Sequence, residues 1–190
     1  MKKRLGLVVL LVAALFTGCS GDADDKKEDH AGITSVTATI NGVAWKATKI
    51  NSVTLMKVPG ENGGQRFDIN AEDGSQRLFL TCGGELTAND AMPLKEYVFE
   101  DSGSEGELIN INALFLNYYL IGGDSFAEHT PKSGKMTITA MNPEKKTVSG
   151  TFSFTNEKGG IIQTKIVTPD VFEVTNGVFT DLPYTVIKGE

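Results

Sequence analysis

Cysteine, histidine and tryptophan are scarce in this 190-residue chain, which has two, two and one of them. With only His30 and His129 present, a cysteine or serine nucleophile within the folded part would have to rely on His129. No GxSxG elbow, zinc-ligand spacing or phosphate-cradling loop is found, and the Gly-Gly pairs at 63, 83, 122 and 159 read as turns. No catalytic residue, metal site or cofactor is therefore expected. No apolar stretch reaches the ~18 residues of a membrane span. Nothing after Thr34 sustains a 3.6-residue apolar period over three turns, so no helical layer is expected. Cations are outnumbered, 18 Lys and Arg against 24 Asp and Glu, which argues against nucleic acid as a partner.

What is present begins with a signal. Lys2, Lys3 and Arg4 precede a short apolar run from Leu5 to Phe16, the layout of a secretory signal peptide. Phe16-Thr17-Gly18-Cys19 resembles a bacterial lipobox, in which the cysteine sulfur is acylated and the cysteine becomes the first mature residue. Residues 1–18 are then a signal peptide. Without their three cations the net charge falls from −6 to −9. Each buried CH₂ of an anchor contributes ~0.8 kcal/mol, so several acyl chains make a lasting tether. Residues 19–32 are charged and nearly free of apolar side chains, the composition of a disordered linker. Asp22, Asp24 and Asp25 resemble the acidic export signal of surface lipoproteins in Bacteroidota. The expected location is the cell envelope, lipid-anchored at the outer membrane and facing either the surface or the periplasm.

Residues 33–190 read as one antiparallel β domain. Asn41-Gly42 suits a two-residue type I′ turn, which pairs Ile40 with Val43, Ala38 with Trp45 and Val36 with Ala47 on one apolar face. Asp73-Gly74 read the same way pairs Ile69 with Leu78, Phe67 with Leu80 and Asn70 with Arg77. The loop 142–146 joins an arm with Met136, Ile138 and Ala140 inward to one with Val148, Gly150, Phe152 and Phe154 inward. Asn176-Gly177 suggests a fourth hairpin, though its register sets Phe172 opposite Asp181 and calls for a bulge or longer loop. Strands are expected at 52–58 and 108–115, and a short helix near "TANDAMPLKEY", capped by Thr87 or Asn89. Cys82 alternates with Leu78 and Leu80 and so faces the core; with Cys19 taken by lipid, no disulfide staples the fold. The fold class is all-β, an antiparallel sandwich, with a closed lipocalin-like barrel as the alternative.

The segments "ATINGVAWKAT", "GKMTITAMNPEKKTVSGTFSFT" and "VTNGVFTDLPY" resemble a Bacteroidota lipoprotein family built on a domain of unknown function. Its most specific mark is "SGTFSF" followed some twenty residues later by "TNGVF". The resemblance implies a lipid-anchored, mostly β-stranded domain and supplies no catalytic residues.

Asp101, Glu105 and Glu107 lie in a Gly/Ser-rich loop around "EDSGSEG" (100–106) and read as solvated charges, matching no calcium-loop spacing. Tyr97, Tyr118 and Tyr119 are candidates for a sugar-stacking or protein-contact surface, while Trp45 reads as core. The expected function is a non-enzymatic binding or interaction module for a glycan or protein partner. Its specificity would sit in loops 100–107 and 122–134. The alternative is a barrel that carries a small apolar ligand. The sequence carries no sign of an oligomeric state.

Overall fold

The computed structural model describes residues 33–61, 63–74, 76–99, 112–119, 126–161 and 169–189, with the backbone alone at 112–119, 126–128 and 160–161. Among the described residues every regular element is a strand.

β1 (Ser35–Ile40) and β2 (Val43–Lys46) form the first hairpin. Asn41 and Gly42 have φ of 48° and 79°, the left-handed pair that a type I′ turn demands. The turn fixes the register as expected, Ile40 opposite Val43 and Ala38 opposite Trp45. Val36, Ala38, Ile40 and Trp45 are buried, but Val43, next to the turn, is 68 % exposed.

β3 (Lys49–Val58), β4 (Gly64–Glu72) and β5 (Gln76–Gly84) form a meander. Here the expected register is off by two residues: Ile69 faces Leu80, Phe67 faces Cys82, and Glu72 rather than Asn70 faces Arg77. The side chain of Asp73 accepts from the Gln76 amide at 2.7 Å, so Asp73 opens the turn instead of sitting at its centre. A two-residue slip preserves which face each side chain takes, and Phe67, Ile69, Leu78, Leu80 and Cys82 are all fully buried.

No helix forms at 87–97. The segment is irregular until β6 (Glu96–Val98), and buried side chains of the meander hold it in place. Lys57 Nζ donates to the Thr87 and Asn89 carbonyls at 2.8 and 2.6 Å, and Gln65 Nε2 donates to Ala91 O at 3.3 Å. Carbonyls bonded to side chains in this way are not building helical turns.

β7 (Asn112–Tyr119) pairs with β5, and β8 (Phe126–Asn142) runs alongside β9 (Thr147–Ile161). Met136 and Ile138 point inward as expected, but a bulge after Ile138 turns Ala140 outward and brings Met141 against the core. Asn176-Gly177 is not a hairpin. β10 (Val171–Pro183) passes straight through it, paired to β9 on one side and β1 on the other. Asn176, at φ 51°, marks a bulge there. β11 (Thr185–Lys188) then lies parallel to β3.

Two layers result, β11-β3-β4-β5-β7 and β8-β9-β10-β1-β2, with β6 beside β8. They are joined where Tyr118 and Tyr119 of β7 pair with Ala127 and Phe126 of β8. The chain also steps between layers at Ala47-Thr48 and at Tyr184. Among the described residues the strand path is open at β2 and at β11, so the architecture is a β-sandwich and the closed barrel is set aside. One core joins both layers, from Phe67 and Leu80 on the first to Phe152, Phe172 and Phe179 on the second.

Candidate functional site

The residues singled out from the sequence do not converge. Tyr97 is only 4 % exposed, lies opposite Met136, and donates its hydroxyl to Pro93 O at 2.8 Å. It belongs to the core and not to a contact surface, because the strand pairing of β6 turns its ring inward. Tyr118 and Tyr119 are placed by backbone only, Tyr118 lying between Gln76 and Ala127; their side chains are outside the described residues. Cys19, Asp22, Asp24, Asp25 and the loop 100–107 also lie outside them. Of the expected loop 122–134, residues 126–134 are strand, continuous with the rest of β8.

The two scarce reactive side chains are both committed to structure. Cys82 is buried, and burial chiefly, helped by the Asp68 carboxylate, pushes its thiol far up and keeps it protonated. His129 is buried within β8, and its Nε2 lies 2.8 Å from Pro169 O. A carbonyl only accepts, so Nε2 carries a proton, and the buried Nδ1 has no hydrogen-bond partner among the described residues. The imidazole packs edge-on to Phe172, centroids 4.5 Å apart.

Phe172 is also part of a cleft of about 330 Å³ between the tips of the β1–β2 and β4–β5 hairpins. Ile40, Trp45 and Phe172 supply its apolar lining, Pro169 is one wall, and Asp73 and Gln76 are at its polar rim. Asn41 pins the first hairpin to β10, its Nδ2 donating to Val171 O at 3.0 Å and its Oδ1 accepting from Glu173 N at 2.7 Å. Trp45 Nε1 is buried and, among the described residues, has no hydrogen-bond partner. An unmet buried donor costs about 1–3 kcal/mol, so it calls for an explanation where it occurs. The sequence shows Trp45 as a core residue of the first hairpin but not this unmet donor, which depends on contacts between hairpins distant in the chain.

A larger cleft, about 530 Å³, lies beside the β8–β9 hairpin and is lined by Leu94, Met141, Asn142, Pro143 and Asp181 among others. Several of its polar groups are bonded within the protein: Asn142 Oδ1 accepts from the Glu144 and Lys145 amides, and Ser149 bonds Asp181.

At another part of the fold Asp90 gathers three ammonium groups, Lys146 at 3.1 Å, Lys188 at 3.4 Å and Lys57 at 3.7 Å. The hydrogen bond from Lys146 foremost, then the charges of Lys146 and Lys188, hold its carboxyl below the ordinary 3.8. Tyr184 donates its hydroxyl to the Asp90 carbonyl, so this cluster clamps the 85–95 segment onto the corner where β10 passes into β11. Among the described residues no group of three or more His, Cys, Asp or Glu side chains is arranged to hold a metal ion.

Residues 33–183 match the model of the family DUF6252, described as a domain of unknown function. No curated protein and no solved structure matches the chain.

Proposed function

Starting from the DUF6252 family, to which this chain belongs, we propose that it is a lipoprotein of the bacterial outer membrane, of the Bacteroidota kind, whose β-sandwich is a non-enzymatic binding module. The observation that carries the reading is the Trp45–Phe172 cleft, a concave, largely apolar surface between the tips of two hairpins.

Support for the anchor is the order of cations, apolar run and Cys19 in the sequence. Support for binding rather than catalysis is that Cys82 is sealed in the core and His129 is engaged with Pro169. Asp22, Asp24 and Asp25 favour display on the cell surface, to a glycan or protein partner.

Fractionation of cells expressing the Cys19→Ala variant tests the anchor: release into the soluble fraction is expected, and full membrane retention overturns it. Protease added to intact cells tests display. Digestion is expected, and complete protection would turn the domain toward the periplasm.

A further inference from the structure

The cleft of about 530 Å³ beside the β8–β9 hairpin joins an apolar lining to charges of one sign. Leu94, Ala140, Met141 and Pro143 supply the apolar part. Glu144 and Asp181 are the charged residues that line it, and no lysine, arginine or histidine does. We infer that this cleft docks a segment of a protein partner that presents an apolar side chain next to lysine or arginine. The inference rests on the binding-module reading and states the chemistry of one partner, at a surface apart from the Trp45–Phe172 cleft.

Both walls are fixed before any partner arrives. Leu94 lies in the segment that Lys57 and Gln65 bond from the meander. The Tyr184 hydroxyl bonds Asp90 O and lies 3.3 Å from Asn142 O, and the Lys146–Asp90 pair adds a second tie between segment and hairpin. Pre-organisation of this kind lowers the cost of binding. The bulge after Ile138 turns Ala140 outward into the cleft, and Leu94 is left 60 % exposed, apolar surface that the fold does not use. No aromatic ring lines the cleft, so a sugar finds no stacking platform, whereas methionine adapts to varied apolar side chains. Charge selects further. Among the described residues neither Glu144 nor Asp181 makes an ion pair, and the Ser149 hydroxyl bonds Asp181 without neutralising it. Lys95 and Lys146, near in sequence, are directed to the Tyr97 ring and to Asp90. An acidic segment or a nucleic acid is therefore repelled and a basic segment attracted. The chain brings one competitor of its own, because Thr34 Oγ1 donates to Asp181 O and the residues before it, with Lys26 and Lys27, start beside the cleft. That stretch places Glu28 and Asp29 next to its lysines and has no large apolar side chain, so it lacks the pairing that the cleft offers to match.

The probe is acetyl-Leu-Lys-Leu-Lys-amide, titrated into the ¹⁵N-labelled mature chain bearing Cys19→Ala. Acetyl-Leu-Glu-Leu-Glu-amide and acetyl-Ser-Lys-Ser-Lys-amide are the controls for charge and for apolar contact. Saturable shifts of the Leu94, Ala140 and Met141 amides are expected with the probe, and roughly tenfold weaker binding with either control. Leu94→Ser should weaken the probe roughly three- to tenfold and Glu144→Gln roughly two- to fivefold. Both positions are exposed, so the unfolding midpoints should stay at the parent value and separate lost binding from lost fold. Equal binding of the acidic control overturns the inference, as does a Leu94→Ser variant that binds like the parent, or a probe that moves none of the three amides at millimolar concentration. Shifts that appear only once Lys26→Ser and Lys27→Ser are introduced would make the chain's own linker the occupant. Movement of the three signals with protein concentration alone would make it a second copy, and either result overturns the partner. The binding-module reading falls separately, if envelope extracts move neither these amides nor those of Ile40 and Val43.

Discussion

Phe179 lies directly opposite Gly150 across the β9–β10 pair, and its ring occupies the space that a side chain at Gly150 would need. The relation is reciprocal one step along, where the ring of Phe152 covers Gly177 on the neighbouring strand. The rings of Phe154, Phe152 and Phe179 follow one another at 6.3 and 6.5 Å with interplanar angles of 26° and 22°. Two glycines thus let two phenylalanines lie down along the sheet and build the centre of the second layer. These are the residues of "SGTFSF" and "TNGVF", so both stretches have a packing explanation.

Gly150→Ala and Gly177→Ala should therefore each destabilise the fold by about 1–3 kcal/mol, as overpacked core sites do. A methyl at either position would overlap both a phenylalanine ring and a backbone carbonyl, of Thr137 and of Phe152 respectively, so trimming the ring alone will not restore stability. Gly84→Ala is the matched control, since its nearest neighbour would be Met92 Cε at 3.9 Å. It should stay within about 0.5 kcal/mol of the parent in denaturant titration.

Much of this fold was legible from alternation alone, because period two reveals the face of a residue without revealing its partner. The meander shows the limit: Phe67 and Ile69 are buried as expected although the strand opposite is displaced by two. Positions that change the phase were not legible. The bulge that exposes Ala140 and the one at Asn176-Gly177 are set by the neighbouring strands, and Asn-Gly has the same local preference for positive φ in a bulge as in a hairpin. The expected short helix at 87–97 does not form because that segment's restraint comes from Lys57 and Gln65, far away in sequence. Tyr97 was misread as surface for a related reason, since β6 is only three residues long and too short to show alternation. The cleft depends on two hairpins and Pro169 meeting, which no local pattern encodes.

Lys57→Met tests that restraint. The ammonium is buried and bonded to two carbonyls, and methionine fills a similar volume without donating. A loss of about 1–3 kcal/mol is expected. Hydrogen exchange should rise in residues 85–95 well beyond the change in the β3–β4 ladder. A uniform rise over both would mean that Lys57 supports the whole domain and does not act as a local clamp.

Tyr97→Phe separates core from surface. Losing the bond to Pro93 O should cost about 0.5–1.5 kcal/mol near neutral pH. Burial foremost, and the nearby Cys82, push the Tyr97 phenol above its ordinary 10.0, and burial likewise raises the Cys82 thiol above 9.0. Both groups hold their protons more tightly when folded. Their contribution is thus complete below about pH 9 and declines as the pH rises beyond it. The parent protein should lose stability from pH 9 upward, and Tyr97→Phe should lose less over the same range. Chemical denaturation at pH 8, 9.5 and 10.5 measures both limbs.

Asp90 gives the opposite pH dependence. Its carboxyl titrates below 3.8 in the folded protein because Lys146 bonds it and Lys146 and Lys188 surround it with positive charge. The unfolded chain lacks those neighbours, so it takes up the proton first as acid is added. The stability from this carboxylate is therefore present above about pH 4 and is lost as the pH falls through the depressed folded value. Asp90→Asn removes the charge while leaving the backbone carbonyl that Tyr184 bonds. It should lower the midpoint of unfolding at pH 7 and flatten the descent between pH 5 and pH 2. Because the ammonium groups of Lys146 and Lys188 are partly exposed, 0.5 M salt should weaken the effect. An Asp90→Asn variant whose acid limb runs parallel to that of the parent would show that the three lysines crowd this carboxylate without stabilising it.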